Sequence, residues 1–456
     1  MTNMKALTHL ILLMICAGLM EALFLAEAFA QQSNPTYIQW MGNYRSRFES
    51  LHRPAGVSGG KTNRLAHQII LSANFKAQEN LKFKASLLGF ETWGSDYLGY
   101  AGYPYFSGQD QEMLQLYEAN AEWNFASGLS VFVGRTPFEI GNGAVFSKNL
   151  DDDYPTRFDG GYFQYQTDVA RFQLGGFAIS SWSSGTTAYD DQDYKIYFLS
   201  ADLKALEPYV KNISFTFMML DRDEMAITVP LPVNFPKEEK DIYAVSLTGE
   251  TGRFFYSFDG VIQEGVNRTS GQDTRAHMLH GRTGFIAYEP WQLGVYIQYH
   301  TDTGDNASTA NVDESYDPLY YNHFQNAGKM NLLGWSNLTY YSAGLTWVLG
   351  SSSRFFLEYN RFYRTSASSG IRGLGALGGN SLVWDSGASL DGPYNNNLNS
   401  TEKFIGHEID LTYELQTESG LRFQSITGLL LPGDYLKVYG KDAQIFFQRL
   451  GVEISF

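Results

Sequence analysis

Apolar and polar residues alternate with a period of two in one segment after another along this chain. The C-terminal residues show the pattern most simply: Leu450, Val452, Ile454 and Phe456 are apolar, and the residues between them are small or polar. Alternation of this kind predicts a β-strand with one apolar and one polar face. Such an apolar edge invites aggregation in a soluble sheet. It is stable when the strand pairs within a closed barrel and its apolar face meets lipid.

Eighteen alternating segments can be placed along the chain, and they include Leu129–Thr136, Ile242–Thr248 and Met278–Ala287. Short connectors such as the turn at 126–128 alternate with long ones, of which those at about 92–112, 302–337 and 365–402 are the longest. A meandering membrane barrel has an even number of strands, short periplasmic turns and long outer loops. The pattern therefore predicts an all-β fold, an antiparallel up-and-down transmembrane β-barrel of eighteen strands, with sixteen as the alternative count.

Composition supports a barrel and excludes several other classes. Aromatic residues make up 15% of the chain and charged residues 18%, and the mean hydropathy is −0.25. That hydropathy is too polar for a helical membrane protein, whose spans need about 20 consecutive apolar residues. A formal net charge of −15 argues against a nucleic-acid-binding protein.

The first thirty residues have the features of a secretory signal. A largely apolar run from Leu7 to Met20 is followed by Ala28-Phe29-Ala30, a typical cleavage sequence. We expect a signal peptide at 1–30 and an outer-membrane barrel with long extracellular loops at 31–456. The single cysteine, Cys16, lies within the signal, so the mature chain is expected to have no disulfide and no cysteine-ligated metal.

Charged residues inside the predicted strands are candidates for the lining of a pore, because a lipid-facing Arg costs about 2–4 kcal/mol near the bilayer midplane. Guanidinium groups in a narrow lumen select carboxylates and other anions. The candidates for the lining are Arg135, Arg157, Asp159, Glu139, Arg45 and Arg47. We expect Asp159 to pair with Arg157, and Glu139 with Arg135.

Two alternatives apply to these residues. The first is a purely structural ladder of ion pairs that stiffens the barrel. The second concerns Arg135 alone, whose parity matches that of Val131 and Val133, so that it would face lipid unless Phe132 is the outward residue or a bulge intervenes. Other candidate lumen charges are mixed in sign: Lys82, Lys84, Glu118, Glu122, Arg171, Lys195, Glu358, Glu408 and Asp410.

Catalysis is not expected. The seven histidines after the signal are scattered, and no Gly-x-Ser-x-Gly sequence is present. His277 and His280 are three residues apart, which places them on opposite faces of a strand and makes a shared metal unfavourable. The sequence therefore predicts no enzyme, no cofactor and no metal site.

Three motifs are more specific than the strand pattern. They are Gly134-Arg135-Thr136-Pro137-Phe138 with Arg157-Phe158-Asp159-Gly160, Asp317-Pro318-Leu319-Tyr320 with Gly334-Trp335-Ser336-Asn337, and Gly406-His407-Glu408-Ile409-Asp410 with Pro432-Gly433-Asp434. In this order they resemble the alginate-export family of outer-membrane channels, over roughly Leu129 to the end. Thr136 stands where that family usually has Gln.

The resemblance implies a monomeric barrel with a basic constriction that conducts an anionic polysaccharide outward. The expected function is passage of a hydrophilic, anionic or saccharide solute across the outer membrane of a Gram-negative bacterium. The alternative is a general or saccharide-specific diffusion porin for uptake. Expected partners are lipopolysaccharide and outer-membrane lipid, the barrel assembly machinery, and the anionic polysaccharide or small hydrophilic solutes.

Overall fold

The fold is that of a computed structural model, which describes most of the chain after residue 36. The described residues are 37–52, 61–94, 111–148, 157–179, 194–204, 209–222, 225–227, 233–235, 238–266, 271–306, 308–309, 311–317, 328–330, 333–369, 371, 400–438 and 442–456. The predicted signal peptide at 1–30 lies outside this set.

Eighteen strands form the barrel, as the alternation predicts. They are β1 (Tyr37–His52), β2 (Lys61–Gln78), β3 (Leu81–Gly94), β4 (Gln111–Ala126), β5 (Leu129–Thr136), β6 (Phe158–Gln166), β7 (Ala170–Ile179), β8 (Tyr194–Leu203), β9 (Val210–Arg222), β10 (Glu238–Thr251), β11 (Phe254–Val266), β12 (Asp273–Tyr288), β13 (Leu293–Asp302), β14 (Leu338–Leu349), β15 (Ser353–Arg364), β16 (Phe404–Gln416), β17 (Leu421–Pro432) and β18 (Ile445–Ser455).

Each strand pairs antiparallel with the next, and the circle closes between β1 and β18. In this closing pair Asn43 lies opposite Ser455, and Leu51 lies opposite Phe447. Smaller described elements are a hairpin of Met225–Ile227 with Val233–Phe235, a two-residue strand Val312–Asp313, a 3-10 helix Glu289–Trp291 and an α-helix Asp434–Val438. No helix in the described residues is long and apolar enough to cross a membrane.

The two faces of the wall have opposite chemistry. Large apolar side chains are exposed on the outer face, where Phe163 is 61% and Ile297 is 62% exposed. Polar side chains such as Gln263 and Asn360 are fully buried on the lumen face. This inversion of the usual soluble pattern is what a barrel in lipid requires, because the outer face contacts hydrocarbon and the inner face contacts polar groups.

Strand starts differ from the prediction at the end of the long loops. β12 begins at Asp273 rather than Met278, and β10 begins at Glu238 rather than Ile242. The added residues of β12 include Arg275 and His277, and both lie on the outer face. Polar outer residues show that this part of the strand extends beyond the apolar band. There both faces are polar, so the alternation that identifies a membrane strand is lost.

The largest apolar cluster lies inside the barrel, where segments between strands fold inward onto the wall. Phe138, in the segment after β5, packs on Phe177 and Phe198 with ring centroids 4.8 and 4.9 Å apart. Trp335, in the segment before β14, is fully buried and stacks on His300 at 4.3 Å. These inward segments narrow a lumen that eighteen strands would otherwise leave wide.

Candidate pore constriction

Arginines gather on the lumen face where the barrel closes. β1 presents Arg45 and Arg47 to the lumen, and the neighbouring strands add Arg64 from β2 and Arg449 from β18. All four side chains are buried. The predictions that Arg45 and Arg47 face inward agree with this register. We name these four residues the arginine wall.

Glu49 bridges the two arginines of the arginine wall that lie nearest the long loops, Arg64 and Arg449. Glu49 lies directly between Arg64 and Arg449, its partners in the two adjacent strands. The Arg449 Nε donates to Glu49 Oε1 at 2.7 Å, and the Arg64 Nε lies 3.7 Å from Glu49 Oε2. Among the described residues, one carboxylate lies between these two guanidinium groups, and an excess of cationic groups is the arrangement that attracts an anion.

The arginine wall ends toward the short turns in a mixed cluster. Glu453 lies opposite Arg45 and accepts a hydrogen bond from the Asn43 amide at 2.6 Å. Arg422 of β17 lies 3.2 Å from Glu414 and 3.7 Å from Glu453. Charge is therefore nearly balanced at this end, and the excess of arginine is confined to the middle and upper levels of the wall.

Arg157 also lies on the lumen side, as predicted, but with other partners than Asp159. Its guanidinium donates to the Gln115 side chain, and Gln115 lies opposite the buried Leu88. Both Arg157 and Arg45 lie close enough to Tyr117 to interact electrostatically with its hydroxyl. Arg157 thus extends the row of lumen cations from the arginine wall toward β4. On β4 the carboxylate of Glu118 pairs with Lys84 at 2.7 Å.

The structure places Arg135 and Asp159 on the outer face, against the prediction that they line the lumen. Arg135 lies opposite Asp159 in the pairing of β5 with β6, on the face that carries Val133 and Phe163. Phe132 is the inward residue, and its ring stacks on Tyr162 at 5.0 Å. β5 pairs with both of its neighbours without a bulge at Arg135, so the simple parity holds.

On that outer face the two residues form a bidentate ion pair. The Arg135 Nε and Nη2 atoms each lie 2.7 Å from an oxygen of Asp159. The predicted pairs, Asp159 with Arg157 and Glu139 with Arg135, are therefore replaced by this one. Glu139 is exposed in the segment after β5 and accepts a hydrogen bond from the Ser147 hydroxyl at 3.2 Å. Lys195, another candidate lumen charge, lies on the outer face as well, beside the buried inward Ile196.

Asp159→Ala is expected to lower the free energy of unfolding by about 1 to 2 kcal/mol, because it leaves a guanidinium without its carboxylate on the lipid-facing side. Channel selectivity should not change. Urea unfolding in lipid vesicles measures the first effect, and bilayer recording the second. Glu250→Ala is the control, since its partner Lys211 is 58% exposed at the rim and should cost less than about 0.5 kcal/mol. An altered selectivity in Asp159→Ala would contradict the outer position.

Carboxylates on β16, two strands from β18, hold one of the inward segments. The backbone N–H of Lys329 donates to Asp410 Oδ2 at 3.1 Å, and that of Met330 donates to Glu408 Oε1 at 3.2 Å. Both carboxylates are buried on β16. Gly328 precedes them with a φ of +81°, and a Cβ there would lie 2.1 Å from Glu408 Oε1. The segment 328–330 is thereby seated against β16.

Two further anchors lie on β10 and β11. The Asn142 side chain, in the segment after β5, donates to Asp259 at 3.0 Å. Lys240 lies between Glu238 and Asp317 at 2.6 and 3.1 Å, and Asp317 belongs to the segment after β13. Segments from both sides of the barrel therefore meet the same pair of strands. In these contacts one acidic and one basic side chain of the wall, Asp259 and Lys240, hold the inward segments.

Arg64 and Arg449 are functional candidates that the sequence analysis missed. Arg449 has the parity of Glu453, on the polar face of the last strand, so alternation alone could have identified it. Arg64 lies one residue before the predicted start of its strand at Leu65. The described residues include no group of three or more His, Cys, Asp or Glu side chains placed to hold a metal ion.

A closed barrel with an apolar outer face, charged lumen and inward segments is an outer-membrane channel of the Gram-negative type. More particularly, the chain belongs to the alginate export family, whose model matches residues 37–445. None of the curated proteins matches the sequence.

Solved structures of other outer-membrane channels share the fold at low sequence identity. OccAB1 of Acinetobacter baumannii has a TM-score of 0.60 at 11% identity, covering 92% of this chain and 97% of that one. OccK9 of Pseudomonas aeruginosa has a TM-score of 0.59 at 12% identity, covering 92% and 98%. OccK2 of the same organism, in complex with glucuronate, has a TM-score of 0.56 at 11% identity, covering 92% and 98%.

Proposed function

We propose that this channel conducts anionic saccharides of the uronate class along the arginine wall. The observation that carries the proposal is the row Arg64–Glu49–Arg449 with Arg45 and Arg47 below it. Within the described residues of β18, β1 and β2, these four guanidinium groups lie beside two carboxylates, Glu49 and Glu453. Guanidinium groups bind carboxylates through paired, charge-assisted hydrogen bonds. A sugar acid offers one such carboxylate per residue, so successive arginines would pass it along the lumen.

Two facts support this class of solute. The chain belongs to the alginate export family, and alginate is an acidic polysaccharide. One structural neighbour, OccK2, was solved in complex with glucuronate. On β16, two strands from β18, Glu408 and Asp410 accept hydrogen bonds from backbone N–H groups of the segment 328–330. Acidic side chains that hold this segment repel a passing anion less than free carboxylates in the lumen would.

Both directions of transport fit this lumen. In the first, the chain exports an acidic polymer as an extended strand. In the second, it is a saccharide-specific porin that takes up single sugar acids. We further propose that the barrel works as a monomer, is inserted by the barrel assembly machinery, and performs no chemistry on its solute.

Single-channel recording with added sugars tests the proposed solute class. Glucuronate added on one side should produce transient blocks of the current, because it competes with chloride for the arginine wall. Glucose at the same concentration, which has the same ring and no carboxylate, should not. A short polyuronate that blocks for longer than glucuronate would favour the polymer, since it engages several arginines at once. Equal effects of glucose and glucuronate would disprove the proposal.

A further inference from the structure

The outer face of strands β12 to β16 changes its chemistry in a fixed order from the short turns toward the long loops. An apolar level contains Ile297 and Ile409, which are 62% and 40% exposed. The next level, two residues further along each strand, pairs Tyr299 with Tyr341, Tyr341 with Arg361, and Arg361 with His407. This order follows the change from hydrocarbon to headgroup, where aromatic and basic side chains are enriched.

Hydroxyl groups form the level above the aromatic one. The side chains of Thr301 and Thr339 are hydrogen-bonded at 2.9 Å, and those of Thr339 and Thr365 at 2.7 Å. Directly beyond them lies a cavity of about 570 Å³. Its lining includes Arg275, His277, Lys403, Glu314 and the hydroxyl-bearing residues Thr303, Thr365, Ser366 and Ser368.

The cations at this cavity are placed to meet a ligand. Arg275 is exposed, and within the described part of the chain its guanidinium makes no hydrogen bond and no ion pair. The Lys403 Nζ is held at the rim by a hydrogen bond to the Thr365 carbonyl at 2.6 Å. Below them, the Arg361 guanidinium lies 5.2 Å from the ring centres of both Tyr363 and Phe404.

Among the described residues, the acidic groups near the cavity form no ion pair with Arg275 or Lys403. Glu314 lines the cavity and accepts a hydrogen bond from the Thr309 hydroxyl at 3.3 Å. Glu264 lies opposite Arg275 in the pairing of β11 with β12, without an ion pair between them. Burial raises the pKa of Asp305, and the neighbouring Asp313 adds to the shift.

We propose that this outer surface is a binding site for a phosphorylated glycolipid of the outer leaflet. Its acyl chains would lie on Ile297 and Ile409, and its sugar rings would stack on Tyr299 and Tyr341. Its phosphates would be bound by Arg275 and Lys403, with the surrounding hydroxyl oxygens accepting hydrogen bonds from the sugar. No single feature specifies this ligand. The ligand is specified by the order of apolar, aromatic, hydroxyl and cationic groups along the barrel wall. An amphiphile with a phosphorylated sugar headgroup presents the complementary groups in that order.

The site is separate from the proposed conduction path. Its residues lie on the outer face of strands whose lumen face carries His280, Tyr340 and Asn360. The arginine wall is on strands β18, β1 and β2. A failure of glycolipid binding would therefore leave the proposed passage of sugar acids untouched, and the reverse also holds.

The test compares the detergent-solubilised full chain with the double variant Arg275→Ala/Lys403→Ala. The probe is bisphosphorylated lipid A, and binding is measured by titration and by native mass spectrometry of retained lipid. We expect the double variant to bind about tenfold more weakly, because it lacks the two cations that would make charge-assisted hydrogen bonds to the phosphates. Dephosphorylated lipid A should bind the original protein more weakly and should not distinguish the two proteins.

A matched control removes two cations from the opposite rim, in Lys211→Ala/Arg253→Ala. This control should bind lipid A like the original protein although its net charge change is the same. Bilayer conductance of Arg275→Ala/Lys403→Ala should be unchanged, which confirms that the variant folds. Equal lipid A affinity in the two double variants would overturn the site. Phosphatidylglycerol binding as tightly as lipid A would overturn the assignment to a glycolipid.

Discussion

Arg45→Gln/Arg47→Gln is expected to reduce the preference of the channel for anions by about tenfold. At an effective dielectric constant of about 20, one charge roughly 5 Å from a permeating ion contributes about 3 kcal/mol before screening. Salt at about 0.15 M screens much of this, so about 0.7 kcal/mol per arginine is a reasonable remainder. The reversal potential under a KCl gradient measures the effect directly.

Two matched variants separate charge from structure in this experiment. Arg45→Lys/Arg47→Lys keeps both charges and should keep the selectivity while weakening block by glucuronate, because an ammonium lacks the planar fork that binds a carboxylate. Arg135→Gln removes an arginine from the outer face and should leave selectivity unchanged. If Arg135→Gln altered selectivity as much as the double change did, the lumen position of the arginine wall would not explain it.

Glu408→Ala/Asp410→Ala is expected to increase the single-channel conductance. The change removes the acceptors of two backbone hydrogen bonds that seat the segment 328–330 on β16. Hydrogen bonds to charged groups contribute about 1.5–3 kcal/mol each, so the seated arrangement should lose about 3 kcal/mol, on the order of a hundredfold in its population. Recordings should show a larger and noisier current as this part of the lumen widens.

Gly328→Ala should also unseat the segment 328–330 from β16, by a steric clash instead of a lost hydrogen bond. It therefore checks whether the seated segment is what limits the conductance. The added Cβ would lie within 2.1 Å of the Glu408 carboxylate, at a backbone φ of +81° that L side chains rarely adopt. It should therefore unseat the segment while leaving both carboxylates in place. Glu122→Ala is the control, because it removes a carboxylate that pairs with Lys82 at 3.7 Å far from this segment. An unchanged current in both test variants would show that 328–330 does not narrow the pore.

The balance of charge in the lumen depends on which side chains are engaged with the inward segments. In sequence order the candidate lumen charges are mixed, and acids such as Glu408 and Asp410 argue against an anion channel. In the structure these acids accept hydrogen bonds from backbone N–H groups, and Asp259 accepts one from Asn142. Within the described residues of β18, β1 and β2, by contrast, the four guanidinium groups of the arginine wall lie beside two carboxylates, Glu49 and Glu453. The proposed anion preference would therefore arise from where each charge is used, and the net charge of −15 does not reveal it.

The sequence by itself determined the barrel, its eighteen strands and the lumen position of Arg45 and Arg47. Lipid on one side and polar groups on the other impose a period of two on every spanning strand, and that period can be read locally. The alternation alone also indicates that Arg135 lies on the outer face. The prediction of a lumen position instead followed from the rule that an arginine in a barrel wall avoids lipid. The structure shows why the position is tolerated, since Asp159 lies directly opposite on the same face.

Only the tertiary structure decided which segments fold inward and which residues meet across the lumen. The contacts of Lys329 with Asp410 and of Asn142 with Asp259 join residues 81 and 117 positions apart. Neither contact has a local signal, because both join a segment between strands to a distant strand. The row Arg64–Glu49–Arg449 likewise exists only because β18 closes on β1, which brings together residues 400 positions apart. Closure of the barrel, which no single segment encodes, is what assembles the arginine wall.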